Sequence, residues 1–203
     1  MVITQLEELE KAKIRVYIDY NYAFLLYRKD IEVYSLQEGD DISEKVFEQI
    51  IEETVYRRSK QKALAILKFK DRTEQELRGK LSDTGYPEEV INRTIAYVTE
   101  YGYLNDTRYV TAFIRDRKNI KSKMVIKTQL LQKGAQKELI ERILKEEYTF
   151  SESEVDPELQ AIKKAVSKKT KNLDLLNIEE KQKLMASLYR KGFSFDNIKQ
   201  TLK

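Results

Sequence analysis

The sequence contains no cysteine and no histidine among its 203 residues. Without cysteine the chain can form no disulfide, no thiolate nucleophile and no thiolate metal site. Without histidine it lacks the usual general base and the commonest zinc ligand. Asp, Glu, Lys or Tyr can still carry acid–base chemistry, but carboxylate pairs such as Asp40–Asp41 have no accompanying catalytic motif. We therefore expect a binding protein rather than an enzyme, with no metal and no cofactor.

Proline, glycine and long apolar runs are also scarce. The 2 prolines and 6 glycines, together with 35% charged residues, indicate a helix-rich protein with a large charged surface. No run of about 18 apolar residues is present to span a membrane. The amino-terminal stretch MVITQLEELEKAKIRV lacks the apolar core of a signal peptide. We expect a soluble, cytoplasmic protein without a membrane partner.

The net charge of +4 hides a gradient along the chain. Residues 1–60 hold 9 Lys and Arg against 13 Asp and Glu. Residues 61–150 hold 18 against 13, and residues 151–203 hold 11 against 8. Because a basic surface attracts anions, an anionic partner is expected to bind the C-terminal two-thirds of the chain.

Apolar and polar side chains alternate in three short runs near the amino terminus, at residues 14–18, 22–26 and 31–33. Alternation with a period of two is typical of half-buried strands. We predict a small three-stranded antiparallel β meander with a turn near Tyr20–Asn21. After Gly39 the apolar spacing becomes helical, which predicts a helix that continues toward QKALAILKF.

The start of this helix has two candidate caps, Asp41 and Ser43, because both side chains can accept a hydrogen bond from the first helical turn. Its apolar stripe is formed by Val46, Ile50 and Val55.

From here the chain repeats itself three times. The segments ELRGKLSDTGYPEEVINRTI, VIKTQLLQKGAQKELIERIL and KLMASLYRKGFSFDNIKQTL align without a gap on Gly85, Gly134 and Gly192. In each segment the positions eight and four before the glycine, and six and ten after it, are apolar. The first two positions share one face of a helix that the glycine can end in a left-handed conformation, and the last two share a face of the next helix.

Each segment is preceded by a further helix. Leu64 and Phe113 both lie 21 residues before their glycine, and Ile162 takes the same place if the third copy carries nine extra residues. The sequence therefore predicts a mainly α protein with three tandem three-helix repeats in an elongated array. The predicted segments are a β meander over residues 1–42, a connecting helix with repeat 1 over 43–104, repeat 2 over 105–150, a linker over 151–157 and repeat 3 over 158–203.

The stretch YGYLNDTRY, residues 101–109, falls between the first two repeats. Gly102 suits the position after the end of a helix, and Asn105 or Asp106 can cap the next one. A calcium loop needs oxygen ligands at alternating positions over about twelve residues, which this stretch lacks. We interpret it as a structural joint.

Three motifs together resemble the RecX family of bacterial recombinase regulators: KALAILKFKDRTEQELRGKLSDTGYPEEVI, the joint GYLND with Ala112 and Phe113 after it, and LLQKGAQKELI. The resemblance is strong over residues 60–146 and weaker over the third repeat. The family's joint usually carries two aspartates, and Asn105 replaces the first of them here.

The resemblance implies a non-enzymatic protein of three tandem three-helix repeats that binds the RecA recombinase filament on single-stranded DNA. It further implies suppression of ATP hydrolysis, strand exchange and coprotease activity, by capping the growing filament end, by lying in its groove, or by both. We expect the protein to act as a monomer.

The most basic stretch is RDRKNIKSKMVIK, residues 115–127, where six cations stand against one aspartate. Such a row can bind phosphates or acidic groups of a filament through release of counterions, and it is equally compatible with a solvated loop. Two arginines of repeat 1 extend the candidate surface. The predicted filament- or DNA-binding residues are Arg115, Arg117, Lys118, Lys121, Lys123, Lys127, Arg72 and Arg78.

Two other functions stay open at this point. Three-helix units also build helix-turn-helix proteins that read DNA sequence, but no third helix here carries a base-reading cluster, and KELIERILKEE is acidic. A helical-repeat scaffold for an unrelated protein partner is equally compatible with the repeats.

Overall fold

Most of the chain is helical in the computed structural model, and one three-stranded antiparallel sheet lies at the amino terminus. The predicted fold class is therefore confirmed. The predicted linker lies mostly outside the described residues. The structure describes residues 1–149, 156–170, 172–173 and 175–202.

The chain divides into two compact units, Met1–Asn105 and Asp106–Lys203. The first contains the sheet, the connecting helix and repeat 1, and the second contains repeats 2 and 3.

The sheet has the order β1-β2-β3, with both neighbouring pairs antiparallel. Asp19 and Tyr20 join β2 to β3 with φ of 47° and 66°, and two consecutive positive φ angles are typical of the type I′ turn that matches the twist of a hairpin. The side chains of Val16, Phe24 and Leu26 are completely buried against the helices. The strands are β1 (Ile3–Glu8), β2 (Lys13–Ile18) and β3 (Asn21–Tyr27), with a 3₁₀ turn at Glu10–Ala12.

One strand of the predicted meander was wrong. Residues 31–33 lie in helix α1 (Arg28–Tyr34). The third strand of the sheet is instead β1, whose residues were not predicted to form a strand. A run of three residues is too short to distinguish a period of two from 3.6. The alternation of β1 is itself interrupted, because the register shifts between Ile3 and Gln5.

The connecting helix begins after Ser43, whose Oγ accepts a hydrogen bond from the backbone N–H of Val46 at 3.3 Å. Asp41 is not the cap and instead accepts from the amino-terminal ammonium group. Ile50 and Val55 are both buried although they are five residues apart, which fits a π-helical segment between them. The helix runs through α2 (Glu44–Gln49), the π segment Ile50–Tyr56 and α3 (Arg57–Phe69).

A buried ion pair ties α1 to α3. Asp30 is 8% exposed, and its carboxylate accepts hydrogen bonds from Arg58 Nη2 at 2.8 Å and from the backbone N–H of Tyr27 at 2.8 Å. Burial alone would raise the pKa of Asp30, but the hydrogen bonds from Arg58 and Tyr27 and the charge of Arg58 outweigh burial and lower it. The ionised form of Asp30 is therefore part of the folded state.

All three repeats have the predicted three helices, and each repeat builds a hydrophobic core. The leucines four residues before each glycine are completely buried, and the isoleucines six residues after it are at most 1% exposed. The helices are α3, α4 (Glu74–Ser82) and α5 (Glu88–Glu100) in repeat 1; α6 (Asp106–Arg115), α7 (Lys123–Gln132) and α8 (Lys137–Glu147) in repeat 2; and α9 (Pro157–Ser167), α10 (Ile178–Arg190) and α11 (Phe195–Leu202) in repeat 3.

The aligned glycines end the second helix of every repeat in the left-handed region, with φ of 96°, 76° and 78°. In repeat 2 the N–H of Gly134 donates to the carbonyl of Leu131 at 2.9 Å, and that of Ala135 donates to Leu130 at 3.1 Å. The other two repeats have the same pair of hydrogen bonds. This is the Schellman arrangement, in which the residue after the glycine packs against the leucine that accepts its hydrogen bond.

The joint between repeats 1 and 2 uses a related left-handed glycine turn, in which the second residue after the glycine donates to the helix instead of the first. Gly102 has a φ of 71° and donates to the carbonyl of Thr99 at 3.0 Å, while the N–H of Leu104 donates to Val98 at 3.0 Å. Leu104 is 3% exposed, and α6 begins two residues later. The structural joint predicted from the sequence is thus present.

We predict opposite effects of alanine at two glycines. Gly102→Ala should lower the free energy of unfolding by about 1 kcal/mol, because an L side chain is disfavoured at positive φ. Gly79→Ala, inside α4, should raise it by about 0.5–1 kcal/mol through helix propensity. A Cβ at either position would meet no atom within 4 Å, so new packing contacts do not contribute to either change in stability. Equal effects of the two variants in urea unfolding would contradict this explanation.

We predict that Asp30→Asn lowers the free energy of unfolding by about 2 kcal/mol at pH 7, because Arg58 loses its charged partner. The pKa of Asp30 is lowered in the folded state, so its contribution is present above the unfolded pKa and is lost as pH falls through the folded pKa. The gap between wild type and variant should therefore close in acid. The exposed Asp83→Asn serves as control, and a pH-independent gap would argue against the ion pair.

Candidate functional site

The predicted basic stretch of repeat 2 is largely paired within its own repeat. Glu147, at the end of α8, accepts hydrogen bonds from Arg115 Nε at 2.7 Å and from Lys118 Nζ at 2.9 Å. Lys127 on α7 forms an ion pair with Glu141 on α8. Half of the six cations are thus held by carboxylates of the third helix.

The pairs around Glu147 have a structural role. Lys118 also donates to the backbone carbonyl of Glu147 at 3.1 Å, where a cation is favourable at a helix C-terminus. Partial burial would raise the pKa of Glu147, but the hydrogen bonds from Lys118 and Arg115 lower it. These two cations therefore hold the end of α8 to the end of α6.

The other three cations of the stretch contact rings, a neutral amide or the neighbouring Asp116. Arg117 lies 3.8 Å from the ring centroid of Phe113 and also approaches Asp116 at 3.8 Å. Lys123 lies 5.1 Å from the ring centroid of Tyr148. Lys121 donates to the side-chain amide of Gln129 at 3.1 Å.

The two candidate arginines of repeat 1 also form ion pairs with carboxylates. Arg78 contacts Glu74 at 2.8 Å, Glu88 at 3.3 Å and Asn92 at 2.6 Å, and so links α4 to α5. The guanidinium group of Arg72, just before α4, lies 3.7 Å from the carboxylate of Glu76 on α4.

The second unit brings together a different set of cations. A cleft of about 470 Å³ lies between the α6–α7 connection, the end of α9 and the α10–α11 turn. Apolar side chains, including Ile120, Val125 and Phe193, line it. In the described part of the chain, no carboxylate lies within 4 Å of the cleft's four ammonium groups. These belong to Lys121, Lys164, Lys168 and Lys191.

Three of these lysines were missed as site residues. Lys164 and Lys168 belong to the basic stretch KKAVSKKTK, residues 163–171, and Lys191 belongs to the turn after α10. No local pattern links them to Lys121, because the four residues come from two repeats. Only their shared position at one cleft distinguishes them from other exposed lysines.

Ser122 fixes the contact between the repeats that form this cleft. Its side chain is buried, donates to the carbonyl of Lys191 at 2.7 Å and accepts from the N–H of Val125 at 3.3 Å. A Cβ at Gly192 would lie 3.0 Å from Ser122 Oγ. The α7 cap and the glycine turn of repeat 3 therefore pack directly on each other.

The described residues contain no group of three His, Cys, Asp or Glu side chains placed to hold a metal ion. No helix in them is both long enough and apolar enough to cross a membrane.

Comparison with known proteins identifies the family of this chain. Family models described as the first and third three-helix domains of RecX match residues 60–97 and 156–202. A regulatory protein RecX of Clostridium acetobutylicum is 31% identical over 99% of this chain and 94% of its own length. The chain belongs to the RecX family. Its relative in Caldanaerobacter subterraneus subsp. tengcongensis, also named regulatory protein RecX, is 31% identical over 100% of this chain and 98% of its own length.

Solved RecX structures have the same fold. A crystal structure of regulatory protein RecX superposes with a TM-score of 0.64 and 22% identity over 98% of both chains. RecX from Lactobacillus salivarius superposes with a TM-score of 0.62 and 25% identity over 74% of this chain and 96% of its own. The third RecX domain matched here includes Lys164, Lys168 and Lys191, and the first includes Arg72 and Arg78.

We predict that Ser122→Ala lowers the free energy of unfolding of the second unit by about 1–2 kcal/mol, because it removes a helix cap and leaves the Lys191 carbonyl without its donor. Ser194→Ala is the matched control, since Ser194 also caps a helix, accepting from Asn197 at 3.3 Å, but is exposed. If both variants lose the same stability in urea unfolding, the contact between the repeats contributes nothing.

Proposed function

We propose that this RecX-family protein regulates the RecA recombinase by binding its filament on single-stranded DNA, and that binding suppresses ATP hydrolysis, strand exchange and coprotease activity. The observation that carries the proposal is the match to regulatory RecX proteins along almost the whole length of both chains. The protein acts in this proposal as a cytoplasmic monomer, through binding rather than catalysis.

Binding is proposed to use the cleft lysines first. Lys121, Lys164, Lys168 and Lys191 have no described carboxylate to give up, so their charges are available to phosphates or to acidic groups of the filament. Arg115, Lys118 and Lys127 would have to exchange an existing ion pair for a new one. We therefore place these three second, as supports of repeat 2.

The remaining predicted cations have intermediate roles in this proposal. Lys123 contacts a ring without losing its charge and so can bind a phosphate from its free side. Arg117 also contacts a ring, but its charge is shared with Asp116 at 3.8 Å. Arg72 and Arg78 are engaged with carboxylates of repeat 1.

Operator recognition is less well supported. The third helix of repeat 2, which would have to enter a major groove, exposes Glu138, Glu141 and Glu146. Lys127 and Arg142 pair with Glu141 and Glu146, but α8 still carries four carboxylates against three cations, so it offers no net attraction to the phosphates beside a groove.

We predict that the cleft lysines determine the strength of inhibition. In RecA ATP hydrolysis on single-stranded DNA, reversing all four to Glu should raise the concentration for half-inhibition at least about tenfold and flatten its salt dependence. The matched control reverses four exposed lysines outside the cleft, Lys62, Lys68, Lys137 and Lys145. Reversing Arg115 or Lys118 is unsuitable, because it would place a second carboxylate beside Glu147.

The outcomes separate the parts of this proposal. Inhibition far below the RecA concentration would support end capping, and inhibition only near parity would support groove occupancy. Full inhibition by a folded cleft variant would remove the cleft from the interface. No effect of the folded wild-type protein on RecA would overturn regulation of RecA itself.

A further inference from the structure

The first unit contains a larger cleft whose charge is opposite to that of the lysine cleft. Its volume is about 1210 Å³, and it lies between the α2–π helix, the start of β3 and the start of α5. Phosphates bind poorly to such a surface, because its carboxylates repel them. The proposed binding of a filament through cations therefore leaves this cleft unused.

The acidic side chains of the cleft outnumber its cations. Five carboxylates line it, against Arg93 and the amino-terminal ammonium group. Each of these cations is already bound, Arg93 by Glu52 and the amino terminus by Asp41. In the described part of the chain, no basic group lies within 4 Å of the other three carboxylates. These are Glu44, Glu48 and Glu89.

The carboxylates stand beside an apolar floor. Phe47 and Ile51 lie one turn apart on the same helix as Glu44 and Glu48, and both are only partly buried against the core of the unit. Phe47 packs on Phe24 with ring centroids 5.8 Å apart, so the floor is supported from below. Glu44 and Glu48 also stand one turn apart, where like charges destabilise a helix. A cation from outside would relieve that repulsion.

We propose that this cleft docks a basic amphipathic segment of a protein partner. The apolar side chains of the segment would lie on Phe47 and Ile51, and its Lys or Arg side chains would pair with Glu44, Glu48 and Glu89. A helix laid in a groove by an apolar face is a common mode of peptide recognition. The arrangement of an apolar row beside an acidic row matches a helix that carries both kinds of residue.

The occupant is a different protein rather than a second copy. Three cations of the most basic segment of this chain, 115–127, already bind Glu147 and Glu141. The cleft lysines of the second unit line a concave surface of their own, and one concave surface does not enter another. A protruding basic segment of a different protein meets neither obstacle.

The test uses the full chain and a fluorescein-labelled amphipathic peptide as the probe. The peptide is a twelve-residue helix design with Leu at positions i, i+3, i+4 and i+7 and Lys elsewhere, and its binding is followed by fluorescence anisotropy. One control peptide carries Glu in place of Lys, and another has the same composition in an order without an apolar face. We expect binding of the first peptide only, with an affinity that falls as salt is raised.

The matched variants locate the site. The triple variant Glu44→Gln, Glu48→Gln and Glu89→Gln should weaken binding at least about tenfold. The equally exposed triple variant Glu32→Gln, Glu100→Gln and Glu138→Gln should leave binding unchanged. Each substitution keeps the size of the side chain, and thermal unfolding of both variants checks that the fold is intact.

Several results would overturn the inference. The first is equal binding of the amphipathic Lys peptide and of the Lys peptide without an apolar face. The second is an equal loss of peptide affinity in the two triple variants. The third is binding of single-stranded DNA that depends on the three cleft carboxylates. Concentration-dependent dimerisation lost only in the cleft variant would assign the surface to a second copy instead. Because no readout involves RecA, these results are independent of the proposed function.

Discussion

The architecture of the repeats depends on one backbone feature, the left-handed glycine that ends each second helix. At Gly85, Gly134 and Gly192 a positive φ lets two N–H groups turn back to the last helical carbonyls. This closure satisfies polar groups that would otherwise be buried without partners. It also aims the third helix so that its isoleucine meets the leucine of the second in the core. A left-handed glycine also ends the first repeat at Gly102, although there the second residue after the glycine, Leu104, donates to the helix.

Ion pairing sorts the many cations of this protein into two kinds. Arg115 and Lys118 pair with Glu147, and Arg58 pairs with Asp30. Burial would raise the pKa of each carboxylate, but these partners lower it. These charges stabilise helix contacts and are not free for a ligand. The lysines around the cleft of the second unit lack described carboxylate partners, so their attraction for an anion is not offset by an internal bond. Net charge along the sequence does not distinguish the two kinds.

The lysine cleft of the second unit and the acidic cleft of the first unit have opposite charge. The lysine cleft is formed where repeats 2 and 3 meet through Ser122, so it exists only when both repeats are folded. The acidic cleft is formed by the sheet, the connecting helix and the start of α5, so it lies where the amino-terminal segment meets repeat 1. A regulator that uses both surfaces would bind an anionic assembly through its repeats and a basic protein segment through its amino-terminal unit.

The sequence by itself determined the three repeats, their glycine turns and their apolar faces, because helix periodicity and left-handed caps depend on residues within about ten positions. Only the tertiary structure decided which strand completes the sheet, since a register shift interrupts the alternation of β1 that would identify it from the sequence. It also decided which cations are free. Glu147 lies 32 residues from Arg115, and Lys191 lies 70 residues from Lys121. Charges interact through distance in space, and the fold sets that distance.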